Sequence, residues 1–260
     1  MIFVKKFLSN VLSQEAYLKL LNTAYLALYR TGALKKDPAY TYHYFARNLV
    51  SPGDHVLDLG ANLGYYSNLF AQWVGPNGSL YSVEPVSVFQ RILHWKLDKF
   101  KHVTILPFAL GTEEKDIRLV IPAGQKYFKT GLPHVYEGEK DGSLDEYGYV
   151  FEAHMKKAAS LFDKLERIDF IKCDIEGYEE FVLPDMKEIL ERQKPIVQVE
   201  TWGEHKPVID KLFHDLGYSS YQVVKGKLAE VKNGVSILGD DYIFVHPQNA
   251  GAMKKIAPFT

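Results

Sequence analysis

The run from Val56 to Gly64 constrains the fold of this chain more than any other segment. An apolar strand containing Asp58 leads into a glycine-rich turn, and a helical stretch begins at Tyr65. This order is typical of an α/β sheet, in which a ligand meets bare backbone and a helix N-terminus at the carboxyl end of a strand. The segment therefore predicts a nucleotide-like cofactor site at the edge of an α/β sheet.

The glycine spacing of this turn discriminates among cofactors. A dinucleotide fingerprint reads G-x-G-x-x-G, but Asn62 takes the middle glycine position here and only Gly60 and Gly64 remain. Such a turn suits a cofactor without a pyrophosphate, and Asp58 offers a carboxylate to a positively charged one. S-adenosylmethionine, which carries an ammonium, a sulfonium and no phosphate, fits both features. The alternative is a tight turn that binds no ligand.

The charge balance of the chain argues against a broad nucleic-acid surface. The 260 residues include 31 Lys and Arg and 32 Asp and Glu, for a net charge of -1, whereas nucleic-acid binding normally needs a basic face. The single cysteine, Cys173, excludes an intrachain disulfide and is typical of a reducing compartment. No run approaches the length of a membrane span, and no signal-peptide pattern follows the basic, apolar start. We therefore expect a cytoplasmic location.

After residue 51 the chain alternates between short apolar stretches and helical ones. The expected strands are His55–Leu59, Ser79–Glu84, His102–Phe108, Asp169–Cys173, Pro195–Glu200, Tyr218–Val224 and Tyr242–His246. The expected helices are Tyr65–Val74, Val86–Lys99, Tyr178–Glu191 and Lys206–Leu216. This alternation predicts a doubly wound, mostly parallel, seven-stranded Rossmann-like sheet covered on both faces. No helix joins the last two strands, so one of them can be antiparallel, with a turn at Asn233-Gly234 between them.

Two regions lie outside this alternation. Residues 1–50 form a predicted N-terminal helical extension, with one helix from about 10 to 31 and another over Tyr40–Val50. We expect the extension to pack on the domain of residues 51–260, with a dimer contact or peripheral membrane contact as alternatives. Residues 111–161 are rich in glycine, with a hairpin-like strand at Ile117–Pro122. We interpret them as a substrate loop or lid, or else as a surface insertion.

Three residues beyond the glycine turn are candidate cofactor ligands. Glu84 ends the second predicted strand, 20 residues after Gly64, where an acidic side chain commonly binds ribose hydroxyls. Phe108 and Ala109 end the third strand, which borders the adenine pocket in doubly wound folds. Phe108 is equally consistent with a place in the core.

The next two strands end in candidate catalytic residues. Asp174 and Glu176 follow the fourth strand, beside the point where the strand order reverses. Glu200 and His205 follow in the same way at the fifth strand. We predict Asp174 as the base or acceptor-orienting group, with His205 as the rival base. Glu176 can instead be a helix-start acid, and His205 a structural residue.

A divalent cation is the alternative means of activating an acceptor hydroxyl. Asp174, Glu176 and Glu200 offer the hard oxygen ligands that magnesium prefers. No tight ligand motif accompanies them, so the sequence does not favour a metal.

Together these residues resemble the FkbM family of S-adenosylmethionine-dependent methyltransferases. The matching segments are Pro52–Asp54, Asp58–Tyr66, Gly78, Glu84-Pro85, Ala109–Gly111 and, most specifically, Ile171–Glu179. One departure is His94–Asp98, where the family usually has asparagines. The resemblance implies O-methylation of a hydroxyl on a sugar, glycan or natural product, and it predicts the reaction type better than the acceptor.

Two other classes of protein remain open. A nucleotide-cofactor oxidoreductase is disfavoured by Asn62 in the glycine turn. A non-catalytic S-adenosylmethionine-binding relative is disfavoured because Asp58, Glu84 and Asp174 are all present. Methylation of nucleic acid is disfavoured because the chain has neither an Asn-Pro-Pro-Tyr-type element nor a basic surplus. The sequence does not indicate the oligomeric state.

Overall fold

The computed structural model describes residues 11–123, 133–232 and 234–260, and its strands form two sheets. The strands are β1 (His55–Leu59), β2 (Ser79–Val83), β3 (Val103–Leu106), β4 (Phe108–Gly111), β5 (Lys115–Pro122), β6 (His134–Val135), β7 (Tyr147–Lys157), β8 (Phe170–Cys173), β9 (Ile196–Glu200), β10 (Ser219–Val224), β11 (Lys227–Glu230) and β12 (Asp241–Val245). The helices are α1 (Gln14–Thr31), α2 (Thr41–Phe45), α3 (Tyr65–Val74), α4 (Ser87–Leu97), α5 (Ala158–Phe162), α6 (Glu179–Asp185), α7 (Lys187–Gln193), α8 (Lys206–Asp215) and α9 (Ala250–Ile256).

The larger sheet has the order β11-β10-β12-β9-β8-β1-β2-β3. Strands β9, β8, β1, β2 and β3 run parallel, whereas the pairs β9–β12, β12–β10 and β10–β11 are antiparallel. In the centre, Leu59 of β1 pairs with Val83 on one side and Cys173 on the other. The strand order therefore reverses between β1 and β8, and a crevice at their carboxyl ends is the expected ligand site.

The predicted doubly wound, mostly parallel fold is confirmed, with corrections to its strands. The sheet has eight strands, because the polar segment Lys227–Glu230 pairs with β10 at the edge without an apolar pattern to reveal it. The predicted strand His102–Phe108 divides at Pro107, and its last residue starts β4 in the second sheet. Proline lacks the N–H that a continuous ladder would use.

The helices cover both faces of this sheet, as the alternating side chains of β1 require. Leu57 and Leu59 pack with Ile171 and Phe162 on one face, and Val56 packs with buried aliphatic and aromatic residues on the other. The stretch Tyr178–Glu191 was predicted as one helix but forms two, α6 and α7, with Met186 between them. Pro184 near the end of α6 weakens the helical hydrogen-bond ladder there.

The described part of the N-terminal extension packs against the rest of the chain. Helix α1 buries Tyr17, Leu18 and Tyr25, and its fully buried Asn22 donates from Nδ2 to the Leu63 carbonyl at 2.6 Å. The predicted helix Tyr40–Val50 is short, since α2 covers only Thr41–Phe45 between 3₁₀ turns. In the described ranges, no helix combines the length and apolarity needed to cross a membrane.

The segment 111–161 contributes most of the second sheet, in the order β4-β7-β5-β6. The predicted strand Ile117–Pro122 lies within β5, which pairs antiparallel with β7. The predicted turn at Asn233-Gly234 cannot be compared in full, because residue 233 lies outside the described residues, as do residues 124–132.

Candidate active site

The glycine turn after β1 meets the backbone that follows β8. Gly60 has a φ of 79°, and a Cβ at this position would lie 1.8 Å from the Asp174 carbonyl oxygen. The conformation and the lack of space both require glycine. Gly64 begins α3 with a φ of 76°, and a Cβ there would lie 2.6 Å from Leu93 Cδ2. Gly64 thus serves close helix packing and does not line the cavity described below.

A buried lysine, Lys172 of β8, connects the glycine turn after β1 with the turn from Asp174 to Gly177 after β8. Its Nζ lies 3.0 Å from Asp174 Oδ2, 3.8 Å from Asp58 Oδ1 and 2.9 Å from the Gly60 carbonyl oxygen, to which it donates. Burial lowers the pKa of a lysine, but the carboxylates of Asp174 and Asp58 outweigh this effect and raise the pKa of Lys172. The ammonium therefore stays charged in the core and ties both turns together.

Asp58, predicted to pair with a charged cofactor, faces the protein interior. It stands opposite Lys172 in the β1·β8 register, and its Oδ2 accepts a 2.5 Å hydrogen bond from Ser67 Oγ in α3. Burial raises the pKa of this carboxyl, and Lys172 opposes that shift. Asp58 does not line the cavity, so its charged partner within the protein is Lys172.

Glu84 follows β2 at the rim of the glycine turn, with 4 % of its surface exposed. Its Oε2 accepts from the Asn62 N–H at 2.7 Å, and its Oε1 accepts from the Val86 N–H at 2.8 Å. Burial raises the pKa of Glu84 to about 7 despite these two donors. Each carboxylate oxygen has a second lone pair, so Glu84 can still accept from hydroxyl groups.

A cavity of about 430 Å³ opens between the two turns, a size common for small-molecule sites. Its apolar wall includes Val83, Pro85, Val86, Phe89, Phe108, Ala109 and Leu110. Its polar wall includes Asp174, Glu176, Glu180 and His205. Gly60, Asn62 and Glu84 also line it, so most of the predicted cofactor residues and three of the predicted catalytic residues share one cavity.

The turn from Asp174 to Gly177 is fixed by a carboxylate beneath it. Glu179, fully buried at the start of α6, accepts from the N–H of Ile175 at 2.6 Å and of Gly177 at 3.0 Å. Glu176 has a φ of 56°, a left-handed conformation that turns the backbone sharply. Partial desolvation, followed by the charge of Asp174, raises the pKa of Glu176 to about 7. Glu179 thus holds the Asp174–Gly177 turn in place through two backbone N–H groups.

His205 is held by a carboxylate that the sequence interpretation did not include. Its Nδ1 lies 2.7 Å from Oε1 of Glu180, the second residue of α6. Since a carboxylate only accepts, Nδ1 carries the proton and Nε2 of the neutral ring has the lone pair. Nε2 faces Gly177, because a Cβ built on that glycine would lie 3.8 Å from it. Both residues line the cavity.

Of the four predicted catalytic residues, all in the described chain, Glu200 alone does not line the cavity. It ends β9 opposite Asp241 of β12. Burial, then the charges of Asp174 and Asp241, raises the pKa of Glu200 to about 8, and burial with Asp174 raises that of Asp241 to about 7. Glu200 thus lies outside the cavity and interacts electrostatically with Asp174.

Across the residues that the structure describes, no group of three or more His, Cys, Asp or Glu side chains is arranged to hold a metal ion. Asp174, Glu176 and Glu200 therefore do not form the three-carboxylate ligand set that the magnesium alternative requires.

The N-terminal extension also reaches the base of the site. His43 of α2 stacks on Tyr66 with ring centroids 4.1 Å apart, and the Tyr25 hydroxyl lies 2.6 Å from its Nδ1. Burial, followed by the nearby ammonium of Lys172, lowers the pKa of His43 to about 3. The ring is therefore neutral, and it brings the extension near the Lys172 ammonium.

Sequence reasoning missed Lys172, Glu179 and Glu180. A lysine within the apolar strand Phe170–Cys173 was a usable signal, because a charge in a central parallel strand needs a partner. Glu179 and Glu180 carried no comparable signal, since acidic residues are common at helix starts for reasons of the dipole alone.

A family model described as the methyltransferase FkbM domain matches residues 58–220, which is more than half of the chain. The protein-L-isoaspartate O-methyltransferase of Aeropyrum pernix is 33% identical over 66 residues, 25% of this chain and 25% of that protein. This chain therefore matches only a quarter of the length of that curated relative.

Solved structures with a similar arrangement include the methyltransferase FkbM from Methylobacillus flagellatus, 14% identical with a TM-score of 0.47, covering 94% of this chain and 58% of that one. A S-adenosylmethionine-dependent O-methyltransferase from Thermotoga maritima is 13% identical with a TM-score of 0.43, covering 80% of this chain and 65% of that one. The matched region thus spans less than two thirds of either solved protein.

Proposed function

The chain belongs to the FkbM methyltransferase family, and from this premise we propose that it transfers the methyl group of S-adenosylmethionine to a hydroxyl oxygen of a sugar, glycan or natural product. The observation that carries the proposal is that the glycine turn and the Asp174–Gly177 turn line the same cavity. We take Glu84 and the apolar wall as the cofactor end of this cavity, and Asp174 and His205 as its acceptor end. A cofactor and an acceptor can therefore meet between these ends.

The residues at the first end fit the cofactor. Glu84, buried and with spare lone pairs, would accept from the ribose hydroxyls, and Phe108 with Ala109 would contact the adenine. Gly60 and Asn62 offer close backbone approach at the turn. When bound, S-adenosylmethionine would supply an electrophilic methyl carbon to the acceptor oxygen, and the sulfur would keep the electron pair of the broken C–S bond.

The residues at the second end would prepare the acceptor. An alcohol is a poor nucleophile until a base takes its proton, and holding the oxygen in line with the methyl carbon provides much of the acceleration. The Asp174 carboxylate forms an ion pair with the Lys172 ammonium at 3.0 Å, which suits it to orient the acceptor hydroxyl. His205 is the second candidate, with Nε2 on the side of Gly177.

Residues 111–161 would select the acceptor, as a wall or lid of the same cavity. His134, Val135, Glu137, Lys140 and Asp141 line it from this segment. The segment lies within the residues that the family model matches, but the motifs that carry the resemblance lie outside most of it.

Isothermal titration with S-adenosylhomocysteine tests the cofactor half of the proposal. We expect binding to the wild-type chain and a loss of about tenfold or more, or about 1.4 kcal/mol, in Glu84→Gln, because the neutral amide accepts from the ribose less strongly. The exposed Glu114→Gln variant is the matched control and should bind normally. Binding of a nicotinamide dinucleotide in place of S-adenosylhomocysteine would contradict the proposal.

Turnover is tested with S-adenosylmethionine carrying a deuterated methyl group and a panel of sugars, glycans and hydroxylated natural products. The expected result is a labelled ether, seen by mass spectrometry, that Asp174→Asn reduces strongly while leaving S-adenosylhomocysteine binding intact. Cofactor binding without any methylated product would instead identify a non-catalytic relative.

A further inference from the structure

We propose that Glu180 is the positioning residue that makes His205 the base of the methyl-transfer reaction. The inference rests on the proposed function and deepens it, because it decides between the two candidate bases of the cavity. It depends on the contact between α6 and the loop before α8.

The imidazole of His205 is held in one orientation. Glu180 Oε1 lies 2.7 Å from Nδ1, and the Trp202 ring meets the imidazole edge at a centroid separation of 6.2 Å. The side chains of His205 and Glu180 are 25% and 19% exposed, so their contact is partly shielded from water. A charge-assisted hydrogen bond in such a setting fixes both ring orientation and tautomer.

The fixed tautomer places the lone pair where a base needs it. With the proton on Nδ1, Nε2 accepts, and it is the ring atom that faces the Gly177 position at 3.8 Å. Asp174 lies on the same turn, but its carboxylate is paired with Lys172 at 3.0 Å. The cavity thus combines an orienting carboxylate with an imidazole that is free to take a proton at a known atom.

The step that follows is a single proton transfer. The O–H bond of the acceptor breaks, its electron pair stays on oxygen, and the proton moves to His205 Nε2. The resulting imidazolium keeps its Nδ1–H bond to the Glu180 carboxylate, whose negative charge stabilises the positive ring. After release of the product, water takes the proton and restores the neutral tautomer.

A spectroscopic test needs neither cofactor nor acceptor. Nitrogen-15 spectra of the ring of His205, assigned with a His205→Gln variant, should show the Nδ1–H tautomer in the wild-type protein. Glu180→Gln keeps a carbonyl acceptor and should retain that tautomer, whereas Glu180→Ala should shift the population toward Nε2–H. Glu188→Gln, an exposed acid on α7, is the control. A wild-type ring in the Nε2–H form would overturn the proposal.

The kinetic test separates positioning from binding. Glu180→Gln should lower kcat by about tenfold and Glu180→Ala by about 100-fold, within the range of general acid–base contributions, while KM and the Kd for S-adenosylhomocysteine change less than about twofold. In a His205→Gln background, Glu180→Ala should cause no further loss of kcat. Additive losses, or an effect on KM alone, would contradict the proposal.

Failure of this inference differs from failure of the proposed function. If the wild-type chain methylates no acceptor, the function fails while the tautomer spectra still decide the Glu180–His205 arrangement. If the chain methylates an acceptor and Glu180→Ala leaves kcat unchanged, the function stands and Glu180 is not a positioning residue.

Discussion

The ammonium of Lys172 lies within 3.8 Å of two carboxylates from different parts of the chain, Asp58 in β1 and Asp174 after β8. It also donates to the carbonyl of Gly60. One buried charge therefore fixes the relative positions of the glycine turn and the Asp174–Gly177 turn. The negative charges of Asp58 and Asp174 therefore depend on this ammonium for a neighbouring positive charge.

Lys172→Met should lower the free energy of unfolding by about 3 kcal/mol or more, since removing the ammonium leaves the fully buried Asp58 carboxylate without its charged partner. Urea unfolding followed by circular dichroism measures the change. Lys187→Met, at an exposed position of α7, serves as the control and should change stability little. A Lys172→Met loss as small as that of the control would show that the buried ammonium does not balance the site. Adding Asp58→Asn to Lys172→Met should restore part of the loss.

Gly60 and Gly226 provide a matched pair at the residue scale, because both have a φ of 79°. A Cβ on Gly60 would meet the Asp174 carbonyl at 1.8 Å, whereas a Cβ on Gly226 would meet nothing within 4 Å. Gly60→Ala should therefore weaken S-adenosylhomocysteine binding by more than about tenfold, measured by calorimetry. Gly226→Ala should carry only the backbone strain and leave binding unchanged. Equal effects of the two variants would show that the contact with Asp174 is unimportant.

At the scale of elements, the N-terminal helix α1 acts on the glycine turn through one side chain. The fully buried Asn22 donates to the carbonyl of Leu63, the residue before Gly64, at 2.6 Å. The extension is thus part of the scaffold that holds the cofactor end of the cavity, and its buried face includes Tyr17, Leu18 and Tyr25.

Asn22→Ala should destabilise the protein by about 1–3 kcal/mol, because the Leu63 carbonyl loses its buried donor. It should also raise the Kd for S-adenosylhomocysteine several-fold, as the turn loses a support. Thr23→Ala on the exposed side of the same helix controls for changes in helix propensity. Reduced stability with unaltered binding would show that α1 does not support the cofactor site.

The sequence predicted β1 and α3 with their observed bounds, because an apolar strand, a glycine turn and an amphipathic helix are local patterns. It placed Glu84, Asp174 and His205 at strand ends, and the parallel sheet then brought them to one cavity. It did not predict the Glu180–His205 contact or the second sheet. The contact and the second sheet depend on the packing of α6 against α8 and of β4 against β7. No local sequence pattern predicts such packing between distant segments.

Across the whole molecule, several carboxyl groups have a pKa raised above that of the unfolded chain. Burial is the largest cause in each: the pKa is about 7 for Glu84, Glu176 and Asp241, and about 8 for Glu200. The pKa of buried His43 is lowered to about 3. Of these carboxyls, Glu84 and Glu176 line the cavity proposed for a cofactor that carries two positive groups, which would favour their ionised forms.

These shifts predict how stability depends on pH in the absence of ligand. A raised carboxyl pKa means that the folded chain holds more protons than the unfolded chain, so stability falls as pH rises toward the folded pKa. The opposite effect of His43 ends near pH 6.5, the ordinary pKa of histidine. The free energy of unfolding should therefore fall between about pH 6.5 and 8. Glu200→Gln should flatten this slope in urea titrations at several pH values, and a rising slope would contradict the assignment.

The most direct measurement is a structure of the protein with S-adenosylhomocysteine and a methylated product or acceptor. Our account predicts the ribose hydroxyls on Glu84, the adenine against Phe108 and Ala109, and the sulfur between the turns of Gly60 and Asp174. The acceptor oxygen should then lie within hydrogen-bond distance of His205 Nε2. A cofactor bound elsewhere, or an acceptor oxygen out of reach of both His205 and Asp174, would contradict the proposed methyl transfer in this cavity.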